Sequence, residues 1–264
     1  MARIKPLRTD TDGQCGWKPY ADYYHAAHET VLPVALAELS QSLTEYTLAF
    51  ARLPGDAYSL VALMGLRPGE NLFVNQAGMW CARYVPAQLR SYPFILAKKP
   101  DDAGQSLVCF DHDSGLYRRE PDMTAGEQRF FDAEGKPQPF FDQVIGFLKA
   151  RQNNLVLTQR GVDAIVEHDL LLPWLLPAAA EGEEPLRGFY RFNEEKFNSL
   201  DADTLQTLRN ANALTVAFAQ LFSMPRIAVL LQMAKARATH KPISEADIES
   251  IFGETDDTLD FNFL

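Results

Sequence analysis

Leu186-Arg-Gly-Phe-Tyr-Arg-Phe-Asn-Glu-Glu-Lys-Phe-Asn-Ser-Leu200 decides how this chain is read. Its aromatic first half, up to Phe192, predicts a short strand, because rings pack well on a pleated surface. Asn193 is a favoured helix N-cap, and Glu194 and Glu195 fall where the positive end of a helix attracts negative charge. Asp201 is a second cap. Beyond it Leu205, Leu208, Ala211, Leu214, Phe218 and Leu221 recur every three or four residues and so share one helical face. From Ala213 to Met224 nearly every position is apolar, which predicts a helix surrounded by protein. Pro225 begins or kinks a continuation to about Ala238.

The residues upstream are richer in β signals. Glu29–Val34 leans to strand, and Ala35–Leu43 carries Leu36, Leu39 and Leu43 on one helical face. Tyr46–Leu53 and Tyr58–Leu66 read as strands. The turn Arg67-Pro-Gly-Glu70 leads into Asn71–Val74 as a hairpin partner. A turn at Asn75–Gly78 precedes a strand over Met79–Val85. Pro86–Tyr92 is a short helix with Pro at its start. Phe94–Lys98 and Ser106–Phe110 are strands around a loop at Pro100–Gln105. Two helices follow, Asp142–Arg151 and Thr158–Leu172. The pattern predicts an α+β fold: a largely antiparallel, curled sheet from the N-terminal half packed on helices from the C-terminal half. Residues 1–20 read as an irregular arm, 21–238 as one domain, and 239–264 as an acidic appendage with a short helix at Ser244–Phe252.

At 264 residues and 47% hydrophobic composition the chain can bury a large core without metals or disulfides. Its net charge of -10, from 35 acidic and 25 basic residues, argues against a nucleic-acid surface. Three widely spaced cysteines, Cys15, Cys81 and Cys109, form no CxxC pair and read as reduced thiols, with Cys81 and Cys109 in strands or core. No apolar leader follows the basic N-terminus, and the apolar stretch Ala211–Met224 is too short to span a membrane. A cytoplasmic protein is the expectation, with leaderless export as the route to a cell surface.

Several blocks in fixed order resemble the SapC family of bacterial proteins. They are Val61-Ala-Leu-Met-Gly-Leu-Arg-Pro-Gly-Glu-Asn-Leu-Phe-Val74, Trp80 with Tyr84, Val85 and Pro86, and Arg90-Ser-Tyr-Pro-Phe94. Gly188–Lys196 with Leu200 follows, then Gln220, Leu221, Ser223, Met224 and Ile227. The resemblance spans about His28 to Ala236, so the arm before Tyr23 and the tail after Thr239 look like additions. It implies a tie to bacterial surface layers and, from genes that often lie near TonB-dependent receptors, to uptake. It supplies no catalytic residues.

Candidate sites come from residue chemistry. Trp80, Tyr84, Arg90 and Tyr92 form an aromatic and cationic group suited to a peptide or ligand groove, since rings give contact area and Arg gives planar donors. The plainer reading is that they pack a sheet face and satisfy one another. Glu70 and Asn71 are binding candidates that equally shape a turn. His25 and His28, three residues apart, and the adjacent pair Asp111 and His112 are the weakest candidates, as metal ligands. Both sit where polar turns are the simpler account. Glu194 and Glu195 diverge on a helix, which argues against a carboxylate pair. There is no G-x-S-x-G, Walker or dinucleotide motif. No cofactor is expected.

The sequence therefore predicts a non-catalytic accessory or binding protein with a protein or peptide partner, linked to surface-layer or outer-membrane processes. One alternative is an enzyme acting on a peptide or small molecule, centred on Asp111 and His112 or on the Trp80–Arg90 groove. Another is a scaffold that inserts Phe261 and Phe263 of its tail into a partner.

Overall fold

A computed structural model describes residues 3–99 and 102–239, with side chains omitted for 102–105. The expected tail helix and the residues Phe261 and Phe263 lie outside the described residues. The elements in chain order are β1 (Ile4–Pro6), α1 (Thr9–Asp12), β2 (Gly16–Trp17), β3 (Val31–Pro33), α2 (Leu39–Glu45), β4 (Leu48–Arg52), β5 (Tyr58–Leu63) and α3 (Ala87–Arg90). They continue with β6 (Phe94–Lys99), β7 (Asp102–Asp111), β8 (Tyr117–Arg118), β9 (Gln128–Arg129), α4 (Pro139–Glu167), β10 (Leu171–Pro173) and β11 (Phe189–Phe192). Four helices close the order: α5 (Glu194–Phe197), α6 (Ala202–Asn210), α7 (Ala213–Ser223) and α8 (Ile227–Ala238).

Among the described residues all strand pairs are antiparallel, in three open sheets, and the fold is α+β. The largest sheet has the order β10-β11-β4-β5-β3. Two of its strands, β10 and β11, come from the C-terminal half. Residues Leu48–Ala51 of β4 are all buried, so both faces of that strand are covered. Helix α7 packs on β4 and β11, and α4 on β5.

Strands β11 and β4 pair only at Phe189 with Ala51 and Tyr190 with Phe50. Where the ladder stops, α7 supplies the missing partners. The Gln220 side chain accepts from Phe192 N at 2.8 Å and donates to Leu48 O at 3.3 Å. Ser223 Oγ accepts from Leu48 N at 2.9 Å and donates to Gln220 O at 2.7 Å. Gln220 and Ser223 are both fully buried, and their polar groups satisfy backbone that would otherwise be orphaned.

The smaller sheets, β1-β7-β6 and β8-β2-β9, surround a second core. Trp17, Phe94, Phe110, Phe130, Phe131, Phe141 and Leu148 are its buried members. The N-terminal residues, expected to be irregular, thus contribute β1, α1 and β2. Gly16 is required in β2 because a Cβ there would lie 2.1 Å from Gln128 O across the sheet.

Helix α4 joins the two cores. Its 29 residues extend about 43 Å. Phe141 and Leu148 lie in the aromatic core, while Val162 and Ile165 lie in the larger one. The two helices predicted here are one. No Gly or Pro lies between Arg151 and Thr158 to break it. The helix ends at Glu167, before the predicted Leu172, because Asp169 takes a left-handed conformation at φ 54° and β10 follows. Conversely, the helix predicted from Asp201 is divided: Asn212, at φ 64°, separates α6 from α7. Asn193 and Asp201 cap as predicted, accepting from Lys196 N at 3.1 Å and Thr204 N at 2.8 Å.

Other expectations fail locally. Asn71–Val74 and Met79–Val85 form no strands beyond one isolated bridge between Val74 and Trp80. The Pro100–Gln105 loop is mostly strand, since β7 begins at Asp102. Cys81 is exposed, while Cys109 is buried. Helix α7 is not enclosed all round, because Phe222 is 64% exposed.

Among the described residues one helical run, Ala213–Ala238, is long and apolar enough by length and composition to cross a membrane, with mean hydropathy 1.7 over its best window. The sequence reading had ended that stretch at Met224. Packing accounts for part of its apolarity: Val216, Ala217, Leu230 and Ala234 are buried in the larger core, and Val229 is buried as well. Gly161 of α4 lets α7 approach closely. A Cβ there would stand 3.1 Å from Val216 Cγ2 and 3.2 Å from Asn212 O.

Candidate functional site

Helix α3 reaches α4 through Arg90, over the Phe147 ring, and Gln88, which accepts from Arg151, and the aromatic candidates gather nearby. Arg90, exposed at the end of α3, has its guanidinium carbon 5.3 Å from the Tyr84 ring centroid and 5.1 Å from that of Phe147 on α4. It also donates to Tyr84 Oη at 2.9 Å. Tyr84 Oη in turn donates to Glu38 Oε2 at 2.9 Å. Glu38 is only 4% exposed. Its Oε2 also accepts from Ala87 N at 2.8 Å, and its Oε1 accepts from Ala35 N at 2.8 Å. Three donors on two oxygens make the burial of a carboxylate tolerable. Glu38 thereby ties the turn at Leu36–Glu38 to the start of α3.

Trp80 belongs to the same knot. Its indole Nε1 donates to Tyr84 O at 3.0 Å and lies 3.3 Å from Tyr46 Oη. Tyr46 Oη donates to Tyr84 O as well. The Trp80 ring stacks on Phe73 at 5.8 Å and meets Tyr23 at 5.5 Å. Tyr92 lies face to face with His25, centroids 3.8 Å apart and planes within 4°. Tyr20 meets both of these rings edge-on. Trp80, Tyr84, Arg90 and Tyr92 are thus linked through ring contacts with Tyr23, Tyr20 and His25, over the buried Glu38.

Burial sets the protonation of this face. The Tyr84 hydroxyl is pushed up to about 12, first by burial and then by the Glu38 charge. Burial and the neighbouring Tyr23 push Tyr20 up to about 12. Burial also raises Tyr46 and Tyr92. These hydroxyls therefore stay protonated at neutral pH. Burial lowers His25, against the opposing charge of Asp22, and so favours a neutral imidazole. Burial lowers Arg151 too, although Glu38 opposes this. Arg151 donates to the Gln88 side chain, a second tie between α4 and α3.

The remaining candidates are placed elsewhere. Asn71 is fully buried: its Nδ2 donates to Ala26 O at 2.9 Å and its Oδ1 accepts from Phe73 N at 2.9 Å. Arg237 of α8 donates to the carbonyls of Asn71, Leu72 and Val74. These groups organise the chain that was expected to be a strand. Glu70 pairs with Arg67, which also holds Glu183 at 2.8 Å. His28 is exposed, with Nδ1 3.1 Å from Gly69 O, while His25 points into the Tyr20–Tyr92 cluster. Asp111 Oδ1 accepts from Asp113 N at 3.0 Å and caps the turn at His112–Ser114. Among the described residues no three His, Cys, Asp or Glu side chains group to hold a metal ion.

Sequence reasoning missed Glu38, Arg151 and Tyr20. Glu38 had a signal: an acidic residue three positions after the helix-entry residue Ala35 reaches back to its N–H. Tyr20 had none, because its partners are distant in sequence.

The family model described as SapC matches residues 7–230, most of the chain, and the protein belongs to that family. The match begins at Leu7, so most of the segment before Tyr23 is part of the family pattern and not an addition to it. No curated protein and no solved structure matches the chain.

Proposed function

We propose that this protein is a non-catalytic binding protein that takes a protein or peptide partner on the Trp80–Tyr84–Arg90–Tyr92 face and serves bacterial surface-layer or outer-membrane processes. The observation that carries the reading is the Arg90 guanidinium. It is exposed, held between two rings, and donates to Tyr84 Oη. A guanidinium has five donors in a fixed fork. Its unused donors suit a backbone carbonyl or carboxylate of a partner, with the flanking rings as contact area. A role in acid–base chemistry fits less well. Both Glu38 oxygens accept hydrogen bonds from groups that hold the fold, and a catalytic base needs a lone pair aimed at substrate. Family membership supports the surface-related setting.

The test is affinity capture from lysate of producing cells with the wild-type chain, R90A and R90K, scored by mass spectrometry, with circular dichroism as a folding control. The reading expects envelope components to be captured, lost with folded R90A, and only partly restored by R90K. Equal capture by R90A overturns it.

A further inference from the structure

We propose that the cavity between β1, the turn after β7 and β8 binds a small multivalent oxyanion, a polycarboxylate or a phosphate ester. Its volume is about 770 Å³, and its walls include Arg3, Lys5, His112, Tyr117 and Arg119 over a floor containing Asp12. The size is in the range of small-molecule sites. The topology explains the gathering. Strand β1 pairs with β7, Arg3 N donates to Asp113 Oδ2 at 2.8 Å, and Arg3 O accepts from His112 N at 3.1 Å. Arg3 and Lys5, two apart in extended chain, lie on one face and both line the cavity.

The charges do not cancel inside it. Asp12, 6% exposed, is occupied by protein donors: Tyr117 Oη at 2.6 Å, Arg8 N at 2.9 Å and Thr11 Oγ1 at 2.7 Å. Arg3 lies 3.7 Å from Asp113, and both side chains are more than half exposed, so that pairing is weak. Among the described residues neither Lys5 nor Arg119 has a carboxylate partner within 4.0 Å. Three cations thus face one satisfied carboxylate, in a chain whose net charge is -10. The His112 imidazole is lowered first by burial, then by the charge of Lys5, with Arg3 adding and Asp12 and Asp111 opposing. It remains a neutral hydrogen-bonding group beside the cations. Its ring and that of Tyr117, 4.3 Å apart, form a partly apolar wall. Such a cavity selects an anion with several oxygens and disfavours a metal cation. This site is separate from the Arg90 face, and either proposal can fail alone.

The test is titration calorimetry of the full chain with citrate and with pyrophosphate, at constant ionic strength set by sodium chloride. Saturable one-to-one binding of citrate assigns a polycarboxylate site, and that of pyrophosphate a site for the phosphate groups of a phosphate ester. The double variant Lys5→Gln, Arg119→Gln removes two exposed side chains without carboxylate partners and is expected to fold. Each lost contact should weaken binding about tenfold. Binding by neither anion overturns the proposal, as does binding that the double variant leaves unchanged.

Discussion

The larger core is filled mostly by aliphatic and small side chains, with Tyr46, Phe50, Phe73 and Phe192 among them, on strands of up to six residues. The smaller core is almost entirely aromatic, under one sheet that includes the ten-residue β7 and another whose strands β2, β8 and β9 are two residues long. In the first, Ala49, Ala62, Ala213, Ala217 and Ala234 let helices settle close to a continuous sheet, and many modest contacts sum. In the second, six of the seven buried members are aromatic, and each buries a large surface. Ring pairs do this edge-on, Trp17 with Phe94 at 4.9 Å, Phe94 with Phe110 at 5.1 Å and Phe110 with Phe130 at 5.6 Å.

That contrast is open to direct attack. Phe110→Ala removes a fully buried ring and should cost about 4 kcal/mol, against about 3 kcal/mol for Leu63→Ala in the larger core. Urea unfolding followed by near- and far-UV circular dichroism measures both. Because α4 lies in both cores, the two signals should coincide in each variant. Separated transitions in Phe110→Ala would show the cores to be independent.

Gln220→Ala should follow, at about 3 kcal/mol, since it leaves Phe192 N and Leu48 O buried without partners. A loss below about 1 kcal/mol would mean that the strands close their own ladder. Gly161→Leu should cost about 2 kcal/mol by forcing α4 and α7 apart. Melting temperature is the readout, and an unchanged value would place slack between those helices.

The smallest effect concerns pH. His25 is lowered by burial in the folded chain, so the unfolded chain binds a proton first as pH falls. Its contribution to stability is present at neutral pH and is lost on acidification from about pH 7 to about pH 5. His112 is lowered as well and adds to the slope. His25→Phe keeps a ring on Tyr92 and should flatten, without abolishing, the fall in melting temperature over that range. An identical slope in the variant would remove His25 from the account.

The contrast also explains what the sequence disclosed. Period and capping made the larger core readable: Asn193 and Asp201 start their helices, and Phe192 is buried as its strand pattern implied. The aromatic core was readable only in part: Phe94 and Phe110 fall on predicted strands, but the two-residue strands β2, β8 and β9 carry no period, and Trp17 looked like part of an irregular arm. At the candidate site Trp80, Tyr84, Arg90 and Tyr92 were nameable from chemistry alone. Glu38, which holds Tyr84 and α3 in place, could be recognised as a partner only once the chain brought it there from 46 and 49 residues away. Asn71 misled for the opposite reason. Its amide ends a strand pattern by bonding backbone on both sides, which hydrophobic alternation does not encode.

The stitch made by Gln220 and Ser223 has a consequence for synthesis. Leu48 emerges early from the ribosome, yet the groups that complete its hydrogen bonds follow 172 and 175 residues later. Until then β4 has an unfinished edge next to a place where β11 cannot fully close. The growing chain must therefore keep a sticky strand from pairing with its neighbours until α7 has followed it out, and α7 acts as the fastener.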